Sequence, residues 1–263
     1  MFKVVPLISD SWLFYKSHAI ALCALLMPFI IPLGIISSCV EFMPNEEWWS
    51  EYLLWFSIAL SSALYPIYQG ATILYISSAL KGDYLKNSDY YKLSLRFWNT
   101  LFILYIMVSL AILAGFLLLV IPGLIVLSRV SFSEFYCLFN NMKATESFQN
   151  SWEQTKDIQW LLLKGILIVT FAIYVPFWAF EYVLNSIESW NLMFSFLSFV
   201  GSSFLMPLFT IFLFRVYSLH NEELNQTLNR TLNFPRFNGH KILTKENVSN
   251  GKKYQSSSNV EIF

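Results

Sequence analysis

The sequence predicts an all-α, polytopic membrane protein, a bundle of six transmembrane helices with both termini cytoplasmic. Three observations predict it. The 263 residues are 56% hydrophobic and 13% charged, with a mean hydropathy of +0.52, too apolar for a domain that must wet its whole surface. Six stretches reach the about 20 apolar residues that a hydrocarbon core of about 30 Å demands at 1.5 Å rise. Basic residues fall in alternate loops, as cytoplasmic loops require. Helices are expected rather than a barrel, because no segment alternates apolar and polar residues with period two. The formal net charge is zero, so charge suggests no nucleic-acid partner.

The first span, 19–40, follows the entry "ISDSWLFYKSH". Its apolar run exceeds the 7 to 15 residues of a signal-peptide core, so an uncleaved anchor is expected. The loop "EFMPNEEWWSEY" carries Glu41, Glu46, Glu47 and Glu51 and no base. The second span, 53–80, leads to "KGDYLKNSDYYKLSLRFW", with Lys81, Lys86, Lys92 and Arg96. Tryptophan and tyrosine flank these spans as an interfacial belt, with Trp48, Trp49, Tyr52 and Trp55 on one side and Tyr90, Tyr91, Trp98 and Trp160 on the other.

Spans three and four, 99–121 and 123–140, are expected to meet in a tight external turn at Pro122 and Gly123, where proline starts or stops a helix and glycine tolerates unusual angles. The fourth span carries Arg129 and Glu134, about 9 and 16 Å along the helix from Gly123. An intramembrane charge costs about 2.5 to 3.5 kcal/mol even on insertion scales, so both should face protein or water. Five residues apart, they are offset by about 140° and should not pair with each other on a regular helix. Structural polar glue and a solute or proton pathway are both open for this candidate intramembrane site.

The region 141–164 returns to bases, with Lys143, Lys156 and Lys164. Within it Ala144, Phe148, Trp152 and Thr155 recur at three- and four-residue steps, predicting a short interfacial helix that carries Ser151, Trp152 and Thr155. The fifth span is 160–183, the fifth loop around Glu181 and Glu188 has no base, and the sixth span is 191–218. The membrane domain thus covers 1–220. Residues 221–263 are polar and aliphatic-poor, which predicts a disordered cytoplasmic tail.

Prolines at 28, 32, 66, 176 and 207 interrupt four spans and should kink them. Only "LYPIYQGA", residues 64–71, combines Pro and Gly with polar groups, as a discontinuous substrate site would. Small residues four apart, Gly34 and Ser38, Ala111 and Gly115, Ser198 and Ser202, predict packing seams. Cys23, Cys39 and Cys137 form no CxxC pair, and packed thiols are expected rather than a metal site.

Three stretches make the chain similar to the YciC family of uncharacterised bacterial inner-membrane proteins. They are the Ile121-Pro122-Gly123-Leu124 turn, the Ser151-x-x-x-Thr155 helix before a span, and the Leu213-Phe214-Arg215-Val216-Tyr217 end of the last span. The likeness runs from about Ile8 to Leu219, and the same arrangement distantly resembles the membrane domain of some glycerophosphodiester phosphodiesterases. The resemblance implies an address, the bacterial inner membrane, and a fold, but no assigned activity.

The sequence contains no Gly-rich phosphate loop, GxSxG elbow or HExxH helix, so no enzymatic activity and no cofactor are expected. The expected function is support of the envelope through contacts with membrane lipids or other inner-membrane proteins. The alternative is a transporter of a small solute or lipid, suggested by Arg129, Glu134 and the kinked spans. A lipid-modifying enzyme ranks third.

Overall fold

A computed structural model describes residues 4–43, 49–186 and 191–231. Within them the chain is helical, without strands: α1 (Val4–Glu41), α2 (Ser50–Lys81), α3 (Asn87–Arg96), α4 (Trp98–Leu118), α5 (Val120–Val130), α6 (Ser133–Asn140), α7 (Ala144–Gln154), α8 (Gln159–Ser186) and α9 (Leu192–Thr231). Five stretches are long and apolar enough to cross a membrane: α1, α4, α5 with α6 (Val120–Asn140), α8, and α9 over Leu192–Glu222. The bundle also exposes large apolar side chains, among them Leu110, Leu117, Phe171 and Trp178, where a soluble protein would be polar. This is the make-up of a multi-pass membrane protein.

The helix α2 has 32 residues but is not among the five. Its first half exposes Tyr52, Trp55 and Phe56, whereas from Gly70 to Ser77 it is almost wholly buried. There, polar residues pack against protein. Around Pro66, where the ring removes a backbone donor, α3 and α4 supply outside partners. Ser94 Oγ donates to the Pro66 carbonyl at 3.0 Å, and Trp98 Nε1 donates to the Ala63 carbonyl at 2.9 Å. On the other side, the Tyr91 hydroxyl of α3 donates to the Leu25 carbonyl of α1, and burial pushes this phenol above its ordinary pKa.

The expected turn at Pro122 and Gly123 lies elsewhere. The chain turns at Leu119, whose extended backbone (φ −169°, ψ 161°) separates α4 from α5. Pro122 and Gly123 sit in the first turn of α5, where a missing N–H is tolerated because the first N–H groups of any helix lack intrahelical partners. Gly123 serves close packing instead. A Cβ built on Gly115 would stand 2.9 Å from the Gly123 Cα, so two glycines let the α4 and α5 backbones touch, as in other small-residue membrane crossings. Gly165 of α8 plays the same part under the Phe212 ring of α9, which a Cβ would meet at 2.0 Å.

The fourth span is also not one helix. α5 stops at Val130 and α6 starts at Ser133, with Ser131 and Phe132 between them. At the other end of the chain, contacts divide the protein into Met1–Val216 and Tyr217–Phe263, four residues short of the expected boundary at 220. The second unit is helical through Thr231, so the first residues of the polar region are ordered as helix rather than disordered. Residues 232–263, like Glu46, Glu47 and Trp48 of the acidic loop and Glu188 and Trp190 of the fifth, lie outside the described residues.

Candidate functional site

The helix break at Ser131 and Phe132 organises two polar clusters, one on each side of it. On the α5 side, the break leaves backbone groups without the regular ladder, and α7 supplies their partners. Ser151 Oγ accepts the Phe132 N–H at 3.1 Å and donates to the Arg129 carbonyl at 2.7 Å. Thr155 Oγ1 lies within 3.0 Å of that carbonyl and 2.7 Å of the Ser151 carbonyl. Arg129 completes the clasp. Its Nη1 donates to the Trp152 carbonyl at 2.7 Å, and its guanidinium stands 5.1 Å from the centre of the Trp152 ring. Trp152 belongs to the last turn of α7, where carbonyls lack helical partners and a cation is favoured.

Ser151, Trp152 and Thr155 therefore grip the broken span rather than only lying at an interface. The buried face of α7 is Ala144, Ser147, Ser151 and Thr155, while Phe148 and Trp152 stack beside it, 6.3 Å apart. The apolar periodicity pointed one residue step away from the face that packs. Small hydroxyl residues were its real signal, since they bring α7 close enough to reach backbone atoms.

On the α6 side, Glu134 turns the other way. Gln69 Nε2 donates to Glu134 Oε2 at 2.9 Å and reaches Thr210 Oγ1 at 3.4 Å, and the Tyr65 hydroxyl donates to Glu134 Oε1 at 3.2 Å. Tyr65 and Gln69 belong to "LYPIYQGA". Among the described residues no lysine, arginine or histidine pairs with Glu134, and Arg129 and Glu134 do not meet. With the turn at Leu119, Arg129 and Glu134 lie about 15 and 22 Å from it at 1.5 Å per residue, so Glu134 is nearer the α7 end than expected.

Glu134 borders a cavity of about 230 Å³ whose walls include the Tyr65, Tyr105, Ser109, Ser131 and Thr210 side chains together with apolar residues such as Leu104 and Phe209. Tyr65, Gln69 and Met206 also line a second space of about 80 Å³ between α1, α2 and α9. Tyr65, Tyr68, Leu33 and Phe199 connect that to a third, of about 410 Å³, walled by Ser37, Ser57, Ser61 and Ser62. Ser37 and Phe199 connect the third to a fourth, of about 350 Å³, beside Glu41 and Glu181. Adjacent cavities share wall residues, so a series of neighbouring spaces extends from the α1–α2 end of the bundle to Glu134, serine-walled at the far end and more apolar near Glu134.

Three tyrosines cluster beside these spaces. The Tyr65 ring lies 4.7 Å from Tyr105 and 5.6 Å from Tyr68, the latter edge-on. At the α1–α2 end, the Glu41 carboxylate accepts a hydrogen bond from Ser195, which also reaches Ser38 at 3.3 Å. No group of three or more His, Cys, Asp and Glu side chains among the described residues could hold a metal ion. Tyr65, Gln69 and Thr210 were not named as site residues from the sequence. Tyr65 and Gln69 were signalled only through the stretch 64–71 of α2, and Thr210 of α9 carried no signal of its own.

No protein-family model, no curated protein and no solved structure matches this chain.

Proposed function

We propose that this chain is a six-span protein of the bacterial inner membrane, N-in and C-in, that takes a small polar or amphiphilic ligand into the bundle at Glu134. α2 is the sixth span. Its length suffices to cross, and its polar side chains face cavities and protein, the arrangement in which polar residues are tolerated at membrane depth. The observation that carries the proposal is the Glu134 carboxylate, held by two neutral donors at the edge of a cavity that neighbours further spaces in the bundle. A carboxylate kept only as glue would be expected to be closed in by its partners. The ligand is drawn from membrane lipids or from solutes, and binding or translocation rather than catalysis is the proposed activity.

Flux or binding in proteoliposomes tests it. Glu134→Gln keeps the shape and most hydrogen bonds, so the variant should accumulate normally but lose ligand uptake and fail to complement a deletion strain. Full complementation by Glu134→Gln would return the chain to the other reading, an envelope support protein acting through lipid or protein contacts. That reading is favoured by the Arg129–α7 clasp, whose polar groups are taken up in holding α7 against the broken span. Phosphatase reporters test the topology: activity after Glu47 and Glu188, and none after Lys86, Lys156 or Lys245.

A further inference from the structure

We infer that the ligand of the Glu134 site is a small monovalent organic cation, an alkylated or primary ammonium group, carried either as a free amine or as the headgroup of a lipid. The inference rests on the reading of Glu134 as a ligand site and names the chemistry of its ligand.

Charge comes first. A carboxylate away from water takes a proton or a cation, and among the described residues no basic side chain pairs with Glu134: Gln69 and Tyr65 are neutral donors, and the nearest guanidinium along the chain is committed to Trp152. Two donors stabilise the carboxylate without neutralising it, leaving a place for a counter-charge from outside.

Shape and surface then narrow the cation. Aromatic residues stand beside the carboxylate, with Tyr65 and Tyr105 lining the cavity next to Glu134 and Tyr68 the adjoining space. Aromatic rings attract a weakly hydrated ammonium through their quadrupole. The rest of the wall is apolar or hydroxylic, which suits methylenes or methyls. The cavity of about 230 Å³ equals roughly eight water volumes at about 30 Å³ each, so it fits a headgroup and not a drug-sized molecule.

Other ions fit worse. A divalent metal wants six or more oxygen ligands, and here one carboxylate is met by donors that present hydrogens. A phosphate would need the arginines, and neither Arg129 nor Arg215 lines any of the four cavities. The entrance agrees with a cation: Glu41 and Glu181 line the cavity at the α1–α2 end beside Tyr174 and Trp178, and like-signed clefts concentrate the opposite ion.

The test uses the full chain in nanodiscs made with phosphatidylglycerol alone. Tetramethylammonium and choline chloride are titrated against sodium chloride at equal ionic strength, with intrinsic tryptophan fluorescence and melting as readouts. Saturable binding of either amine, weakened at least tenfold in Glu134→Gln and in Tyr105→Leu while both variants melt within a few degrees of the parent, is the expected result. Nanodiscs containing phosphatidylethanolamine separate the sources. Loss of the free-amine response there assigns the site to a lipid headgroup, and an unchanged response assigns it to a soluble amine. Equal binding by Glu134→Gln, or no binding of either amine in phosphatidylglycerol discs, overturns the inference. In that event, failed complementation by Glu134→Gln would leave the ligand-site reading standing with a neutral or zwitterionic ligand, and normal complementation would remove both.

Discussion

Arg129 and Glu134 lie five residues apart in one span, yet the protein treats them in opposite ways. Arg129 is tied to α7. Its Nη1 ends on the Trp152 carbonyl, its face on the Trp152 ring, and its own carbonyl is taken by Ser151. Glu134 has only neutral partners and a cavity in front of it. Five residues apart, the two side chains point to different neighbours. Both α5 and α6 pack against α7, but the Arg129 side chain reaches the Trp152 carbonyl of α7 while the Glu134 side chain reaches Tyr65 and Gln69 of α2. A charge inside a membrane protein is thus not functional by position alone; what it faces decides its role.

The sharpest way to break this contrast is to remove the charge that faces the cavity. Glu134→Gln should abolish ligand binding and complementation, a loss of ten- to a hundredfold or more in affinity, with little change in melting temperature in detergent. The next effect should fall on the clasp and should be one of stability. Ser151→Ala combined with Thr155→Val leaves the Phe132 N–H and Arg129 carbonyl without these partners. At about 1 to 3 kcal/mol for each buried group left unsatisfied, membrane abundance and melting should drop while the surviving protein binds ligand with unchanged affinity.

Arg129 itself should prove less critical. Arg129→Leu removes the buried charge together with its desolvation cost, so abundance and complementation should stay near those of the parent. Arg129→Ala should melt lower, because it also deletes the aliphatic stem that packs beside Trp152. The smallest effect sharpens the other side. Tyr65→Phe keeps the ring and loses one hydrogen bond to Glu134, worth about 0.5 to 1.5 kcal/mol, so ligand affinity should change severalfold, read by the same fluorescence titration.

Much of this was legible in the sequence, and the misses share a cause. Apolar run length located α4 and α8 within a few residues, because hydrocarbon thickness dictates length directly, but the expected spans 19–40 and 191–218 begin 15 residues after the start of α1 at Val4 and stop 13 residues before the end of α9 at Thr231, where each helix runs on past its apolar stretch. Charge placement singled out Arg129 and Glu134 and indicated that they would not pair. Pro122 and Gly123 were read by their backbone preferences, as a turn, whereas their use is set by tertiary contact: Gly123 is small so that Gly115 can approach. The same holds for α7, whose hydroxyl face was less visible than its aromatic one. Helix continuity from Ser133 back to Val130 could not be judged from composition, since the break is stabilised by α7, 19 residues on in the case of Ser151 and Phe132. Composition also hid the tail's first turns. Polar residues predict the absence of a core, but a helix that continues from a span needs no new nucleus.

The central claim is that a water-accessible, negatively charged route leads to Glu134 while the backbone of the clasp beside Ser128 is packed away from water. Cysteine reactivity measures both at once. With Cys23, Cys39 and Cys137 replaced by alanine, single cysteines are introduced at Ser62, on the cavity wall, and at Ser128, buried at 1% exposure in the clasp region. Each is treated with a trimethylammonium and a sulfonate methanethiosulfonate reagent. Ser62→Cys should react about tenfold faster with the cationic reagent, as expected of a cleft that concentrates cations, and the preference should shrink when Glu134→Gln is added; Ser128→Cys should react with neither. An unreactive Ser62→Cys, a preference for the anionic reagent, or reaction at Ser128→Cys as fast as at Ser62→Cys would contradict the account.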